Sequence, residues 1–412
     1  MSRAHKNLRA VNRAKVLNII ITSGSISRVK LARMTGLNQS TVSKIINQLM
    51  EEGLVYESSR DSSHFGRKPV NLKLNERYRI YGAIDISLWT TTLALCDLDG
   101  GVLAQKKIVT VAGDSESFLT YCAKTVAEMA AGFKEPLAGV SVIVPCMLNS
   151  RSGFIYSNRT LGWKDTDVKG LVSKHFDCKI LVENDGKASA LAELWFAREA
   201  RELSNFVFVL VVVGIGTGIV ISRHLHYGSN FLEGQFYAGI IEIDGRWEDL
   251  SERDTWEDSS SDLGVVNRYC DFTGSECDPD TSRQMQRIID MARQGDYQAS
   301  RALKETARYL GVGIANINNG LDPERIIIGG KIVQVWDMII PGLLDLVERQ
   351  TPFPIVNLSE RVVPSSLTNP TFTGARALIL QDLFGGCHLM SQPPPTDGNG
   401  YAGKLEFAGT RF

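Results

Sequence analysis

Apolar residues in the first fifty positions recur at helical spacing. In RAKVLNIIITS (13–23), Val16, Leu17, Ile19, Ile20 and Ile21 make one broad apolar face, and Gly24 ends the helix. In the next segment Ser27 is placed as an N-cap, with Val29, Leu31, Ala32 and Met34 as a short buried stripe. Gly36 sits where a tight turn needs a positive φ, and Leu37 plugs the angle beyond it. A second helix is predicted over about Gln39 to Glu52, burying Val42, Ile45, Ile46 and Leu49, with Gly53 as its stop. Two short helices across a glycine turn, the second polar at its start, predict a helix-turn-helix. Leu54–Tyr56 and Val70–Leu72 then read as a strand pair flanking a polar loop, which makes a wing.

Beyond about Tyr81 the pattern changes. RIYGAIDIS, TTLALCDLDG and GVLAQKKIV predict three successive strands, with Asp99-Gly100-Gly101 as a hairpin turn. Residues 115–133 read as a helix and LAGVSVIVP as a buried strand. KILVENDGKASALAELWF passes from strand through a polar turn into a helix, and FVFVLVVVGIGTGIVIS is a strand, a glycine turn and a strand. Such alternation predicts a mixed α/β body. Residues 386–412, with Pro393-Pro394-Pro395 and a Gly-rich run, read as an irregular tail with no assigned role.

Charge separates the two parts. Residues 1–80 hold 15 Lys and Arg against 5 Asp and Glu, a balance of +10, in a chain whose formal net charge is −1. A basic head on an acidic body implies a polyanionic partner for the head alone. Gln39, Ser40, Thr41, Ser43 and Lys44, with Asn38 just before them, occupy the helix end that enters a major groove. Arg60, His64, Arg67 and Lys68 make the wing basic, and Gly66-Arg67-Lys68-Pro69 resembles arms that place Arg in a narrow minor groove. Double-stranded operator DNA is therefore the expected partner; a winged-helix protein-interaction module is the alternative and leaves the +10 unexplained. The seven cysteines (96, 122, 146, 178, 270, 277, 387) form no C-x-x-C pair, and Cys270 and Cys277 lack nearby partners. All are expected to be reduced thiols in a cytoplasmic protein, without a membrane span or secretion signal.

The ordered stretches GAIDIS, SVIVP, SNRTLGW, VENDGKASALAEL, VVVGIGTGIVIS and LGVGIANINNGLDPERIIIGG resemble the ROK family of repressors and sugar kinases. The resemblance spans roughly residues 5–385. It implies an α/β architecture: an N-terminal winged helix-turn-helix (1–80) on a two-lobed actin-like ATPase fold. The first lobe would cover 81–200, completed by a C-terminal helix at 373–385, and the second 201–372. It also implies a sugar site near Asn158, Asn184 and Asp185, a sugar effector, and a homodimer or dimer of dimers.

Several positions depart from the family pattern. The kinases' first phosphate turn, D-x-G-G-T, reads Asp85-Ile86-Ser87-Leu88-Trp89, whose side chains obstruct the approach of backbone N–H groups to phosphate. The second turn, Gly214-Ile215-Gly216-Thr217-Gly218, survives, as does Ile328-Gly329-Gly330; both read equally as tight strand connections. Where the family has G-E-x-G-H, this chain has Gly234-Gln235-Phe236-Tyr237-Ala238, so the sugar-binding glutamate becomes Gln235 and the zinc histidine becomes Ala238. The following loop has no cysteine, so no zinc and no cofactor are expected. Glu257 matches a sugar-contacting glutamate, or else is a surface acid. Asp185 matches the catalytic base, yet an Asn-Asp pair at a strand end is also a helix cap. The expectation is a sugar-controlled regulator of carbohydrate metabolism, usually a repressor, with no enzymatic activity. An active sugar kinase with a DNA-binding head and a ligand-independent DNA-binding dimer are the alternatives.

Overall fold

The computed structural model describes residues 3–58, 70–158, 160–243, 253–352 and 357–384. The head opens with α1 (Arg3–Ser23), which starts well before its apolar stripe and buries Val16, Leu17, Ile19, Ile20 and Ile21. β1 (Ile26–Ser27) leads into α2 (Arg28–Thr35), where the Ser27 hydroxyl accepts from Lys30 N at 3.3 Å. Gly36 takes φ 67°, the left-handed turn that a side chain disfavours. α3 (Gln39–Glu51) buries Val42, Ile45, Ile46 and Leu49. β2 (Val55–Ser58) and β3 (Asn71–Leu74) pair antiparallel, and β1 joins β3 to give the order β1-β3-β2.

The stripe expected on α2 is corrected. Val29 is 61% exposed and Met34 40%, whereas Thr35 is buried beside Leu31 and Ala32. An eight-residue helix offers a narrow inner face. Thr35 satisfies its hydroxyl inside it, donating to Leu31 O at 2.8 Å and accepting from Leu37 N at 3.3 Å. The strand pair is also displaced: Val55 faces Leu74 and Ser58 faces Asn71, which leaves Val70 outside β3 and exposed. The basic wing residues Arg60, His64, Arg67 and Lys68 lie outside the described residues.

The first lobe is a five-stranded sheet of order β11-β7-β4-β5-β6. β4 (Ile80–Ile86), β5 (Thr90–Asp97) and β6 (Val102–Val109) form the antiparallel meander expected from the three apolar runs. α4 (Ser115–Ala130) and β7 (Leu137–Val144) follow, β7 running parallel to β4. β8 (Met147–Asn149), β9 (Phe154–Asn158) and β10 (Trp163–Asp167) make a small sheet, and α5 (Val168–Ser173) leads to β11 (Ile180–Asn184) and α6 (Asp185–Phe196).

The second lobe has the order β14-β13-β12-β17-β18. It comprises β12 (Phe206–Val211), β13 (Ile215–Ile221), β14 (His224–Leu225), and the pair β15 (Ile240–Ile243) and β16 (Arg253–Thr255). Helices α7 (Trp256–Ser260), α8 (Asp262–Thr273), α9 (Thr281–Arg293) and α10 (Tyr297–Leu321) cover one face. β17 (Arg325–Gly330), α11 (Trp336–Gln350), α12 (Leu358–Arg361) and β18 (Val362–Pro364) complete it, and α13 (Pro370–Phe384) returns to the first lobe.

The reduced state expected for Cys270 and Cys277 is overturned: the structure joins them as a disulfide. Gly274, at φ 66°, ends α8 in a left-handed cap and turns the chain back, so the two Cα atoms come to 5.9 Å. Cys96, Cys122, Cys146 and Cys178 are free thiols. No helix among the described residues is long and apolar enough to cross a membrane.

Two helices tie the parts together. α6 carries no sustained polar face; Ala188, Ala190, Leu191, Leu194 and Trp195 are all buried, so it packs on both lobes. α13 lies against α6, β4 and β7, with Gly374 so close that a Cβ there would meet Ala188 O at 2.4 Å. From α13, Arg376 reaches the β5–β6 hairpin: Nε donates to Leu98 O at 2.9 Å and Nη2 pairs with Asp99 at 2.9 Å. Leu98 N in turn donates to Glu76 O at 3.0 Å, at the exit of the head. Head and first lobe share one apolar core running from Val16 to Leu380.

Candidate functional site

The reader surface of the head is the first turn of α3. Asn38 is its N-cap: Oδ1 accepts from Thr41 N at 2.8 Å and from the Ser40 hydroxyl at 2.9 Å. That occupies the Asn38 oxygen with the helix end and leaves its amide N–H groups outward. Gln39, Ser40 and Lys44 are exposed, and Thr41 and Ser43 half-buried. Arg13 is paired with Glu52 at 2.6 Å, and Arg28 with Glu57 at 2.8 Å, so these two arginines brace the head. Lys30 and Arg33 on α2 are exposed, two cations beside the reader that the pattern reading did not single out.

Between the lobes, the end of β11 and the start of α6 bring Asn184 and Asp185 to the cleft. Asn184 Oδ1 accepts from Gly186 N at 3.0 Å and Lys187 N at 3.3 Å, and its Nδ2 donates to Cys146 O at 3.3 Å. The cap reading therefore describes Asn184. Asn158 is similarly engaged: Oδ1 accepts from Leu161 N at 2.7 Å and Nδ2 donates to Pro145 O. Asp185 Oδ1 accepts from Gly186 N at 2.9 Å, and the Asn184 side chain also hydrogen-bonds the Asp185 carboxyl.

Glu257 enters from α7. Its Oε2 accepts from Ile215 N at 2.8 Å, where the retained glycine stretch enters β13. It lies 2.4 Å from where a Cβ on Gly214 would stand, and Asp185 Oδ1 lies 3.4 Å from one on Gly216. The surface-acid reading of Glu257 thus does not describe it. Gln235, half-buried, begins the short turn at Phe236–Ala238 and its side chain caps nothing there. Asp85, at the end of β4, is approached by the Thr371 hydroxyl at 3.4 Å. Burial pushes the Asp85 carboxyl up to about 7, with repulsion from Asp185 adding to it. Burial raises Asp185 to about 6, against its N–H bonds and with help from Glu257; burial also raises Glu257.

The first phosphate turn is closed on itself. Ser87 N donates to Thr90 O at 3.1 Å, the Ser87 hydroxyl donates to the same oxygen at 2.8 Å, and Thr90 N donates back to that hydroxyl at 3.3 Å. Trp89 projects from the turn, 37% exposed.

A second cluster lies behind the cleft and was missed in the sequence. Lys187, 4% exposed, pairs with Glu233 at 2.7 Å, donates to Phe231 O at 2.7 Å and lies 5.5 Å from the Tyr227 ring centroid. Tyr227 donates to Glu183 Oε2 at 2.8 Å, and Glu183 also accepts from Asn184 N at 2.9 Å and from the Ser150 hydroxyl. The network pins the 226–234 loop, which leads into Gln235, to the helix that carries Asp185. The available signal was Lys187 inside KASALAELWF, a mostly apolar helix where a buried charge must find a partner.

The donors at the positions of the family's zinc loop do not suit that ion. Ala238 offers no ligand and no thiolate is at hand, and among the described residues no three His, Cys, Asp or Glu cluster to hold a metal.

These features define a two-lobed, sugar-kinase-like body bearing a winged helix-turn-helix. The chain belongs to the ROK family, whose model matches residues 81–382; a winged helix-turn-helix DNA-binding model matches residues 12–56. It is 27% identical over 378 residues to the xylose repressor of Bacillus spizizenii, covering 91% of this chain and 96% of that one. To the DNA-binding transcriptional dual regulator NagC of Escherichia coli K12 it is 24% identical over 394 residues, 93% and 95% of the two chains. Among solved structures, a ROK family transcriptional regulator, a homolog of E. coli MLC protein, aligns with a TM-score of 0.74 at 24% identity, over 93% of this chain and 98% of that one. A ROK family glucokinase from Streptomyces griseus, in complex with glucose and AMPPNP, aligns at 0.60 and 19% identity, over 72% and 98%.

Proposed function

We propose that this chain is a sugar-responsive DNA-binding repressor of carbohydrate metabolism, acting in the cytoplasm as a homodimer and without kinase activity. The observation that carries this reading is the run of contacts along α13. Thr371 at its start meets Asp85 in the cleft, Gly374 seats it on α6 just behind Asp185, and Arg376 grips the hairpin that supports the head. One rigid helix thus touches the proposed effector site and the support of the proposed reader.

In this reading α3 enters the major groove with Gln39, Ser40, Thr41, Ser43 and Lys44, while Asn38 holds the helix end that approaches the backbone. Two heads of a dimer meet two half-sites about one helical turn, or a multiple, apart. The sugar lies against Asp185, Glu257 and Gln235, with Asn158 and Asn184 beside them. Its binding biases the lobe arrangement, and α13 passes the bias to the heads. The self-closed turn at Ser87–Thr90 and the carboxylate on Ile215 N support the absence of phosphoryl transfer, because both remove N–H groups a nucleotide would need. Relatives named for xylose and N-acetylglucosamine make these two the first sugars to try.

Operator titration tests the reading. A duplex selected by the protein from a random pool is titrated with and without each sugar. A shift in affinity with at least one sugar supports it; affinity unmoved by all of them rejects the sugar-responsive part, and salt-independent binding rejects the DNA part.

A further inference from the structure

The C-terminal end of α8 carries a pair of sulfurs that neither the head nor the cleft uses. Cys270, in the last turn, is 5% exposed and belongs to the core of the second lobe with Met285, Ile288 and Ile289 of α9. Cys277, 7 positions on, lies in the irregular stretch before α9 and is exposed. The bridge between them closes the short connection from α8 to α9.

That junction is also fastened without the bridge. The Asp280 side chain caps α9 by accepting from Arg283 N at 3.0 Å, and Asp278 pairs with Arg287 at 3.4 Å. Tyr269 of α8 donates to Met291 Sδ of α9 at 3.6 Å, and Arg301 of α10 lies 3.9 Å from the Phe272 ring centroid. Breaking the S–S bond therefore leaves the helices packed and frees only the connection. One contact is aimed at sulfur itself: Gln284, buried, donates from Nε2 to Cys270 Sγ at 3.4 Å. Its Oε1 accepts from Asp278 N, which fixes the amide with its N–H side toward that sulfur.

We propose that Cys270–Cys277 is a reversible redox site: small thiols open it by attack at Cys277, and its closure locks α8 to α9. Exchange is governed by access to the attacked sulfur and by the stability of the leaving thiolate. Here one sulfur faces solvent, and the other has an N–H in place to receive negative charge. A thiolate such as that of glutathione attacks Cys277 Sγ. The bond to Cys270 breaks, and its electron pair leaves on Cys270 Sγ beside the Gln284 amide. A second thiolate attacks the glutathione sulfur of the mixed disulfide and releases Cys277. Each released thiolate takes up the proton its attacker gave up, so two glutathiones become one glutathione disulfide and the protein gains two thiols. Closure by glutathione disulfide is the reverse. In a reducing compartment such a bond is transient and suits redox sensing rather than permanent support. The inference holds whatever the cleft binds.

The test uses the full chain, equilibrated near neutral pH in glutathione buffers from reduced to oxidised, then trapped by alkylation and mapped by peptide mass spectrometry. The Cys270–Cys277 pair is expected to open in millimolar reduced glutathione without denaturant and to close again on oxidation. A bridge that resists reduction until the protein is unfolded, a pair that stays open in oxidised buffer, or either cysteine joined to another overturns the proposal. Hydrogen exchange of peptides spanning 271–281 is expected to be slower in the closed form, and the melting midpoint higher by at least about 2 °C. Equal exchange and equal melting in both forms overturn the lock. With glutathione disulfide, Cys270→Ser should be thiolated at Cys277 at least about tenfold faster than Cys277→Ser is at Cys270. Equal rates in two variants that both keep the wild-type circular dichroism overturn Cys277 as the point of attack.

Discussion

The two stretches that match the family's phosphate turns, Ser87–Thr90 and Gly214–Gly218, each engage backbone N–H groups within this chain, for opposite reasons. The first has no glycine and satisfies itself through the Ser87 hydroxyl. The second keeps every glycine, yet its N–H at Ile215 serves Glu257. Its glycines have a packing role as well: a Cβ on Gly218 would stand 2.4 Å from Ala190 Cβ and 2.7 Å from Gly186 O, on the α6 face. Retained glycine is therefore not a sign of retained nucleotide chemistry; here it lets a helix and a carboxylate approach a strand.

The largest effect expected from this contrast lies behind the second turn. Lys187→Met leaves Glu233 buried without its partner and should cost about 3–5 kcal/mol in denaturant unfolding, with Lys187→Met/Glu233→Leu recovering most of it. Equal loss in the single and double variants would show that the pair does not pin the loop. Gly218→Val should cost about 3 kcal/mol by overpacking α6 against β13. A neutral outcome there would remove the packing explanation for the glycine.

A smaller effect concerns pH. Asp85 binds its proton more tightly folded, at about 7, than an ordinary aspartate does unfolded. Its contribution is unfavourable once ionised, so it lowers stability as pH rises from about 4 through 7, and Asp185 acts the same way up to about 6. Asp85→Asn should raise the melting midpoint by a few degrees at pH 8 and by little at pH 4. A gain equal at both pH values would contradict the burial of that charge. The smallest effect belongs to the exposed first turn: Trp89→Gly should change stability by less than about 1 kcal/mol, and calorimetry with ATP–Mg²⁺ should stay flat. Nucleotide binding restored by that change alone would mean that bulk, not the closed turn and Glu257, excluded it.

The same contrast explains what could be read from the chain alone. The head was legible because its signals are local: caps, a turn glycine and a single apolar face. Where the inner face was only two turns long, Thr35 displaced Met34, since a hydroxyl bonded to its own helix tolerates burial. The succession of strands and helices in the body followed from apolar runs and hairpin turns, but the order of strands within each sheet did not. The cleft was legible only in part. Asp185 and Glu257 were found through motif position, but nothing in spacing reveals that Glu257 folds back on Ile215, forty-two residues earlier. The Lys187–Glu233 pair and the Cys270–Cys277 bridge depend on where loops return, which hydrophobic pattern does not encode.

The most direct test is a linked titration: fluorescence anisotropy of a labelled operator duplex at several fixed concentrations of the sugar that binds the cleft, with sugar binding measured in turn on free and DNA-bound protein. Linkage requires equal factors in both directions, expected at about 5-fold or more. Arg376→Gln should reduce that factor while both separate affinities persist. A sugar that saturates the cleft and leaves operator affinity unchanged would contradict the coupling of the two ends through α13.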